Sequence, residues 1–114
     1  MRRMRAIKHV LVASELASYR ESIAAVLRAS LSCVEVFEAT PAELNREVLR
    51  LRPELVICSR VNSLVEDRVP NWIELHPECG PFSTFCLEGE RSLREQVELS
   101  DLISVVDRTA VPTA

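Results

Sequence analysis

An α/β domain with one parallel sheet covered by helices on both faces is what this sequence predicts. Three observations carry the expectation. Short apolar runs alternate with amphipathic stretches along the chain. The segment Thr40-Pro41-Ala42-Glu43 has the residues of a helix start: threonine at the N-cap, proline at the first helical position and glutamate at the third. Arg52-Pro53 then stops that helix just before Leu55-Val56-Ile57-Cys58, a continuous apolar run of the kind a central parallel strand needs.

Each element follows from its own pattern. Residues 9–13 form a short apolar run and read as a buried strand. Residues 16–29 carry Leu16, Tyr19, Ile23, Val26 and Leu27 at helical spacing. Residues 34–38 alternate with period two, as a half-buried edge strand does. The helix begun at Thr40 runs to about Arg50 and buries Leu44, Val48 and Leu51. Residues 61–80 are ambiguous: Val61, Leu64, Val65 and Val69 allow a broken helix, Pro70 interrupts it, and residues 71–75 add a helical turn. Cys79-Gly80-Pro81 reads as a turn, residues 82–87 as a strand, 90–99 as a short helix with Leu93, Val97 and Leu99 inward, and 102–106 as the last strand. The order is β-α-β-α-β-α-β-α-β, with right-handed crossovers.

At 114 residues the chain fits one domain, expected over residues 7–108 between a basic tail at 1–6 and a short tail at 109–114. An apolar content of 47% and a mean hydropathy of +0.07 support a folded core, and aromatics at 4% make that core aliphatic. With 14 basic and 17 acidic residues the net charge is −3, which argues against a nucleic-acid surface. No apolar run is long enough to span a membrane, and the run after the basic tail is too short for a signal peptide, so a cytoplasmic protein is expected. Lys8 is the sole lysine, so lysine chemistry beyond residue 8 is excluded.

Four cysteines, Cys33, Cys58, Cys79 and Cys86, lack any C-x2-C pair; the lone H-x2-C of His76 and Cys79 makes a poor zinc site, and no metal is expected. Cys58 and Cys86 sit in apolar runs and read as small buried hydrophobes, whereas Cys79 lies in a loop and is the candidate reactive thiol. In parallel α/β sheets, ligands gather at the carboxyl ends of the strands. That rule selects Ser14 and Glu15, Ser59 and Arg60, residues 86–88 and residues 106–108.

The run from Glu35 through Leu44, followed by Leu49-Arg50-Leu51-Arg52-Pro53-Glu54-Leu55-Val56-Ile57-Cys58-Ser59, resembles the second to third strand of a response-regulator receiver domain, and His9-Val10-Leu11-Val12-Ala13-Ser14-Glu15 resembles that family's first strand. The resemblance implies a flavodoxin-like, receiver-like three-layer sandwich with five parallel strands in the order 2-1-3-4-5. It also implies a chemistry that can be checked position by position. The two acidic residues that hold Mg²⁺ in the family correspond to Ser14 and Glu15, so one carboxylate is lost and magnesium binding is weakened. The phosphoryl acceptor corresponds to Ser59, a poor acceptor without a base or bound metal. The switch hydroxyl corresponds to Cys86, or to Leu87 one residue on, and the lysine to Val106 or Asp107. Ser14, Glu15, Ser59, Cys86 and Asp107 thus form a degenerate phosphoacceptor pocket.

Family members end with a fifth helix beside the first, and residues after Asp107 are too few to form one. A bare sheet face follows as an expectation, with Phe82, Phe85, Leu102 and Val105 as interface candidates for a homodimer or a partner helix; a trimmed chain would give the same appearance. The leading expectation is a non-enzymatic, cofactor-free pseudo-receiver that signals through protein contact. The alternatives are a small-ligand binder or enzyme on the same scaffold, and an orphaned input domain of a two-component transcription regulator. With Gly80 and Gly89 the only glycines and no histidine beside a predicted nucleophile, neither a phosphate loop nor a Ser-His or Cys-His pair is expected.

Overall fold

The computed structural model describes residues 7–76 and 80–109. Its centre is one six-stranded sheet in the order β2-β1-β3-β4-β5-β6. The elements along the chain are β1 (Lys8–Ala13), α1 (Ala17–Ser30), β2 (Val34–Glu38), a 3₁₀ turn (Pro41–Glu43), α2 (Leu44–Leu51), β3 (Leu55–Cys58), α3 (Ser63–Arg68), β4 (Asn71–Glu74), β5 (Phe82–Leu87), β6 (Glu90–Glu95) and α4 (Leu99–Arg108). The first four strands are parallel, with Val10 level with both Val36 and Leu55, and Leu55 level with Asn71. β5 runs antiparallel to β4, and β6 antiparallel to β5.

Alternation along the strands divides the core into two layers. Val10, Val12, Leu55, Ile57, Ile73 and Phe85 point to one face, where Ile23, Ala24 and Leu27 of α1 meet Leu102, Val105 and Val106 of α4. Leu11, Val56, Cys58, Trp72 and Cys86 point to the other, under Leu44, Val48 and Val65 of α2 and α3. β1 from Val10 onward, and all of β3, are apolar on both sides, as strands covered by helices on both faces are. At the start of the 3₁₀ turn the Glu43 carboxylate accepts from the Thr40 N–H at 2.9 Å and its hydroxyl at 3.1 Å, and those bonds hold the Glu43 pKa below the usual carboxylate range. Arg52, in the left-handed region at φ 47°, ends α2 ahead of Pro53.

The mixed sheet overturns the expected five-stranded parallel, flavodoxin-like sandwich, and each departure has a local cause. Residues 71–75 are not a helical turn: Asn71–Glu74 is the fourth parallel strand, with Pro70 standing just outside it. The helix expected over residues 90–99 is absent: residues 90–95 are a strand, and Leu99 begins the next helix. Glu88 and Gly89 both have positive φ, 53° and 87°, which is the geometry of a two-residue type I′ turn, so β6 folds straight back on β5. Arg94 then lies over the Phe85 ring, its guanidinium carbon 4.4 Å from the ring centre. Residues 102–106 are not a strand. Leu102, Val105 and Val106 recur at i, i+3 and i+4, all buried, and the Glu98 N–H donates to the Asp101 carboxylate at 2.8 Å to begin the helix.

α4 therefore supplies the helix expected to be missing, and it packs beside α1. The face expected to be bare is covered: Phe85, Leu102 and Val105 belong to the core, and of the four interface candidates Phe82 alone is exposed, at 45%. Thr109, placed in the C-terminal tail by the sequence, is buried, and its hydroxyl donates to the Val105 carbonyl at 2.8 Å. The basic tail at 1–6, the reactive-thiol candidate Cys79 and residues 110–114 lie outside the described residues.

Candidate functional site

The carboxyl ends of β1, β3 and β4 lie side by side, with Ala13 level with Cys58 and Cys58 level with Glu74. The residues that follow each strand line the edge. Ser14 is buried after β1, and its carbonyl accepts from Arg20 Nη1 at 3.0 Å, which ties the strand end to the first turns of α1. Ser59 follows β3. Its hydroxyl donates to Ser14 Oγ at 3.3 Å and accepts from the Glu15 N–H at 3.0 Å. After β4, Leu75 donates its N–H to the Cys58 carbonyl at 2.8 Å and extends the strand pairing by one bond. His76 donates its N–H to Ser83 Oγ at 2.8 Å. Its Nδ1 lies 3.0 Å from the Gly80 carbonyl, an acceptor, so Nδ1 carries a proton.

A cavity of about 420 Å³ opens here, and Ser14, Glu15, Ser59, Tyr19, Leu75 and His76 are among its lining residues. Burial raises the Tyr19 pKa, so its phenol stays neutral. A second hollow of about 450 Å³ lies across the Glu15–Ser59 ridge and is lined by Pro41, Leu44, Arg60 and Asn62. The nearby acids and thiol are committed to structure. Glu74 accepts from the Val61 N–H at 2.9 Å, and Glu38 pairs with Arg28 at 3.2 Å and Arg20 at 3.9 Å. Burial first, and Glu74 second, push the Cys58 thiol up to about 12, which removes it as a nucleophile near neutral pH. Among the described residues, no three His, Cys, Asp or Glu side chains gather to hold a metal ion.

Of the five pocket positions expected from the sequence, the structure brings together Ser14, Glu15 and Ser59. It does not bring in Cys86, which is level with Trp72, two positions short of the carboxyl edge, and is buried on the α2 and α3 side. Asp107 lies at the far edge, in the last turn of α4, where its carbonyl accepts from Lys8 Nζ at 3.2 Å. Both displacements follow from the missed fourth strand. With β4 ending at Glu74, the position at the end of the fourth strand falls on Glu74 or Leu75, neither of them a hydroxyl, and among the described residues no fifth parallel strand presents a residue beside it. Tyr19, Leu75 and His76 were not anticipated as lining residues. The signal for the last two was the short Asn71–Glu74 strand, which puts the next two residues on this edge by the same rule that selected Ser59.

Comparison with known proteins found no matching family model, no matching curated protein and no matching solved structure. Among the described residues no helix is long and apolar enough to cross a membrane.

Proposed function

We propose that this chain is a non-catalytic regulatory module, related to receiver domains through its parallel half, which acts by contact with another protein in the cytoplasm. The single observation that carries the reading is the Ser14–Ser59 hydroxyl pair. A receiver needs negative charge there, to hold Mg²⁺ and to accept a phosphoryl group. Here the edge holds two neutral hydroxyls, and the Glu15 N–H occupies a lone pair of the one at the acceptor position. Glu15 is exposed, its sequence neighbour Ser14 is not an acid, and Glu74 on the same edge is engaged by the Val61 N–H. The three described cysteines are free, in keeping with a reducing compartment.

The test is incubation with acetyl phosphate and Mg²⁺, followed by intact-mass measurement. No phosphoryl adduct is expected. A stable adduct on Glu15 or Asp107 would sink the reading. The cavity beside Tyr19 and His76 favours a second reading, a small polar ligand held at the strand ends. A thermal-shift screen with nucleotides and Mg²⁺ separates the two: a midpoint rise of several degrees, lost in Tyr19→Ala, supports the ligand-binding reading.

A further inference from the structure

β6 forms one edge of the sheet, and no described strand lies beyond it. The direction of its backbone groups follows from the turn. In a two-residue hairpin, Leu87 and Glu90 close the loop as a hydrogen-bonded pair, and bonded pairs recur at every second residue. Glu90, Ser92 and Arg94 therefore turn their N–H and C=O groups toward β5. Gln96 keeps the same phase, donating its N–H to the Pro81 carbonyl at 3.3 Å. Arg91, Leu93 and Glu95 turn theirs outward, and among the described residues nothing bonds to them. The opposite edge differs: at β2 the Arg28 guanidinium already occupies the Val36 carbonyl at 2.7 Å.

The side chains of β6 match a second copy of the same strand. Antiparallel pairing sets outward residues against outward residues. With a two-fold axis at Leu93, Leu93 faces Leu93 of the second copy, and Arg91 faces Glu95 of the second copy at both ends. The same register sets Ser92 against Arg94. Moving the axis by one residue in either direction sets Leu93 against Arg91 or Glu95 instead. Leu93 is the most exposed large apolar side chain among the described residues, at 66%, and Phe82 lies diagonal to it on the same face of the hairpin. The self-pairing covers the first and brings the second next to the covered row.

We infer that β6 pairs antiparallel with β6 of a second copy of this chain, with Leu93 on the two-fold axis, to make one continuous sheet. The pairing stands independently of the regulatory reading. Each facing outward pair exchanges two backbone hydrogen bonds, and the Arg91–Glu95 contacts fix the register. Within its own chain Arg91 reaches Glu66 at 2.9 Å and lies over the Trp72 ring, 5.2 Å from its centre, so its guanidinium swings outward from Trp72 to meet Glu95 of the second copy.

The test is the solution mass of the full chain by light scattering over a rising concentration series. Twice 12.8 kDa is expected. Glu95→Arg sets like charges opposite each other and should raise the dissociation constant about tenfold or more, while Arg91→Glu combined with Glu95→Arg should restore the dimer. Leu93→Lys should leave a monomer with an unchanged circular dichroism spectrum, because the side chain points away from the core. A wild-type chain that stays monomeric, or a dimer indifferent to Glu95→Arg and Leu93→Lys, would overturn the inference.

Discussion

Lys8, at the start of β1, donates its ammonium to the carbonyl of Val106 in the last turn of α4, 98 residues away. The contact ties the first strand to the last helix and satisfies carbonyls that a helix C-terminus leaves without partners. Burial lowers the Lys8 pKa, partly offset by the nearby Asp107 and Glu54 carboxylates. Lys8→Met keeps the apolar stem and removes the donor. It should cost about 1–3 kcal/mol in urea unfolding. A loss below about 0.5 kcal/mol would mean that the contact does not hold α4.

Asn71 is a second tie. Its side chain donates to the Glu54 carbonyl at 3.0 Å and accepts from the Glu88 N–H at 3.0 Å, so one buried amide joins the approach to β3, the start of β4 and the hairpin turn. Asn71→Leu fills the space but leaves both backbone groups unpaired. A loss of about 2–3 kcal/mol is expected, with faster amide exchange at Glu88 in hydrogen-exchange measurements.

Cys58 sets an alkaline limit. Its pKa is 9.0 in the unfolded chain and about 12 when buried, so the folded state binds the proton more tightly. Stability from this group is therefore fully present below pH 9 and is lost as pH rises toward 12, by about 4 kcal/mol at full development. Lys8 has the opposite sign, because its folded pKa is depressed: its contribution grows as pH rises toward 10.5. Denaturation midpoints measured across this range should fall with pH, and the fall should flatten in Cys58→Ala. An equal slope in both proteins would assign the effect to another group.

Ser59→Ala removes the acceptor for the Glu15 N–H and the donor to Ser14. The expected loss is about 1 kcal/mol, small because the Glu15 amide can turn to water at the exposed edge. If Ser59→Ala instead abolished binding of a ligand found by thermal shift, the hydroxyl would belong to a binding site rather than to the scaffold.

The parallel half was legible because its signals are local and strong: the Thr40–Glu43 helix start, the Arg52-Pro53 stop and the continuous run at 55–58. Its strand-end rule found Ser14, Glu15 and Ser59. The second half misled for physical reasons. Asn71–Glu74 is a four-residue strand with too few residues to show a period. Leu93 and Val97 are spaced like a helix face, yet the Glu88-Gly89 turn decides the segment. Residues 102–106 read as a short apolar strand, although Leu102, Val105 and Val106 fit a helix stripe and Glu98 with Asp101 marks its start. Cys86 and Asp107 were misplaced as a consequence, since strand-end positions are only as good as the strand count.

The hairpin also has a kinetic consequence. β5 and β6 are joined by two residues and need no crossover, whereas pairing Val10 with Leu55 requires α1, β2 and α2 to be looped out between them. Hairpins close in about 1–10 μs, while non-local parallel pairings wait on the entropy of closing a long loop. Refolding is therefore expected to be limited by the crossovers of the N-terminal half, with the β5–β6 amides the first to gain protection in pulse-labelled hydrogen exchange.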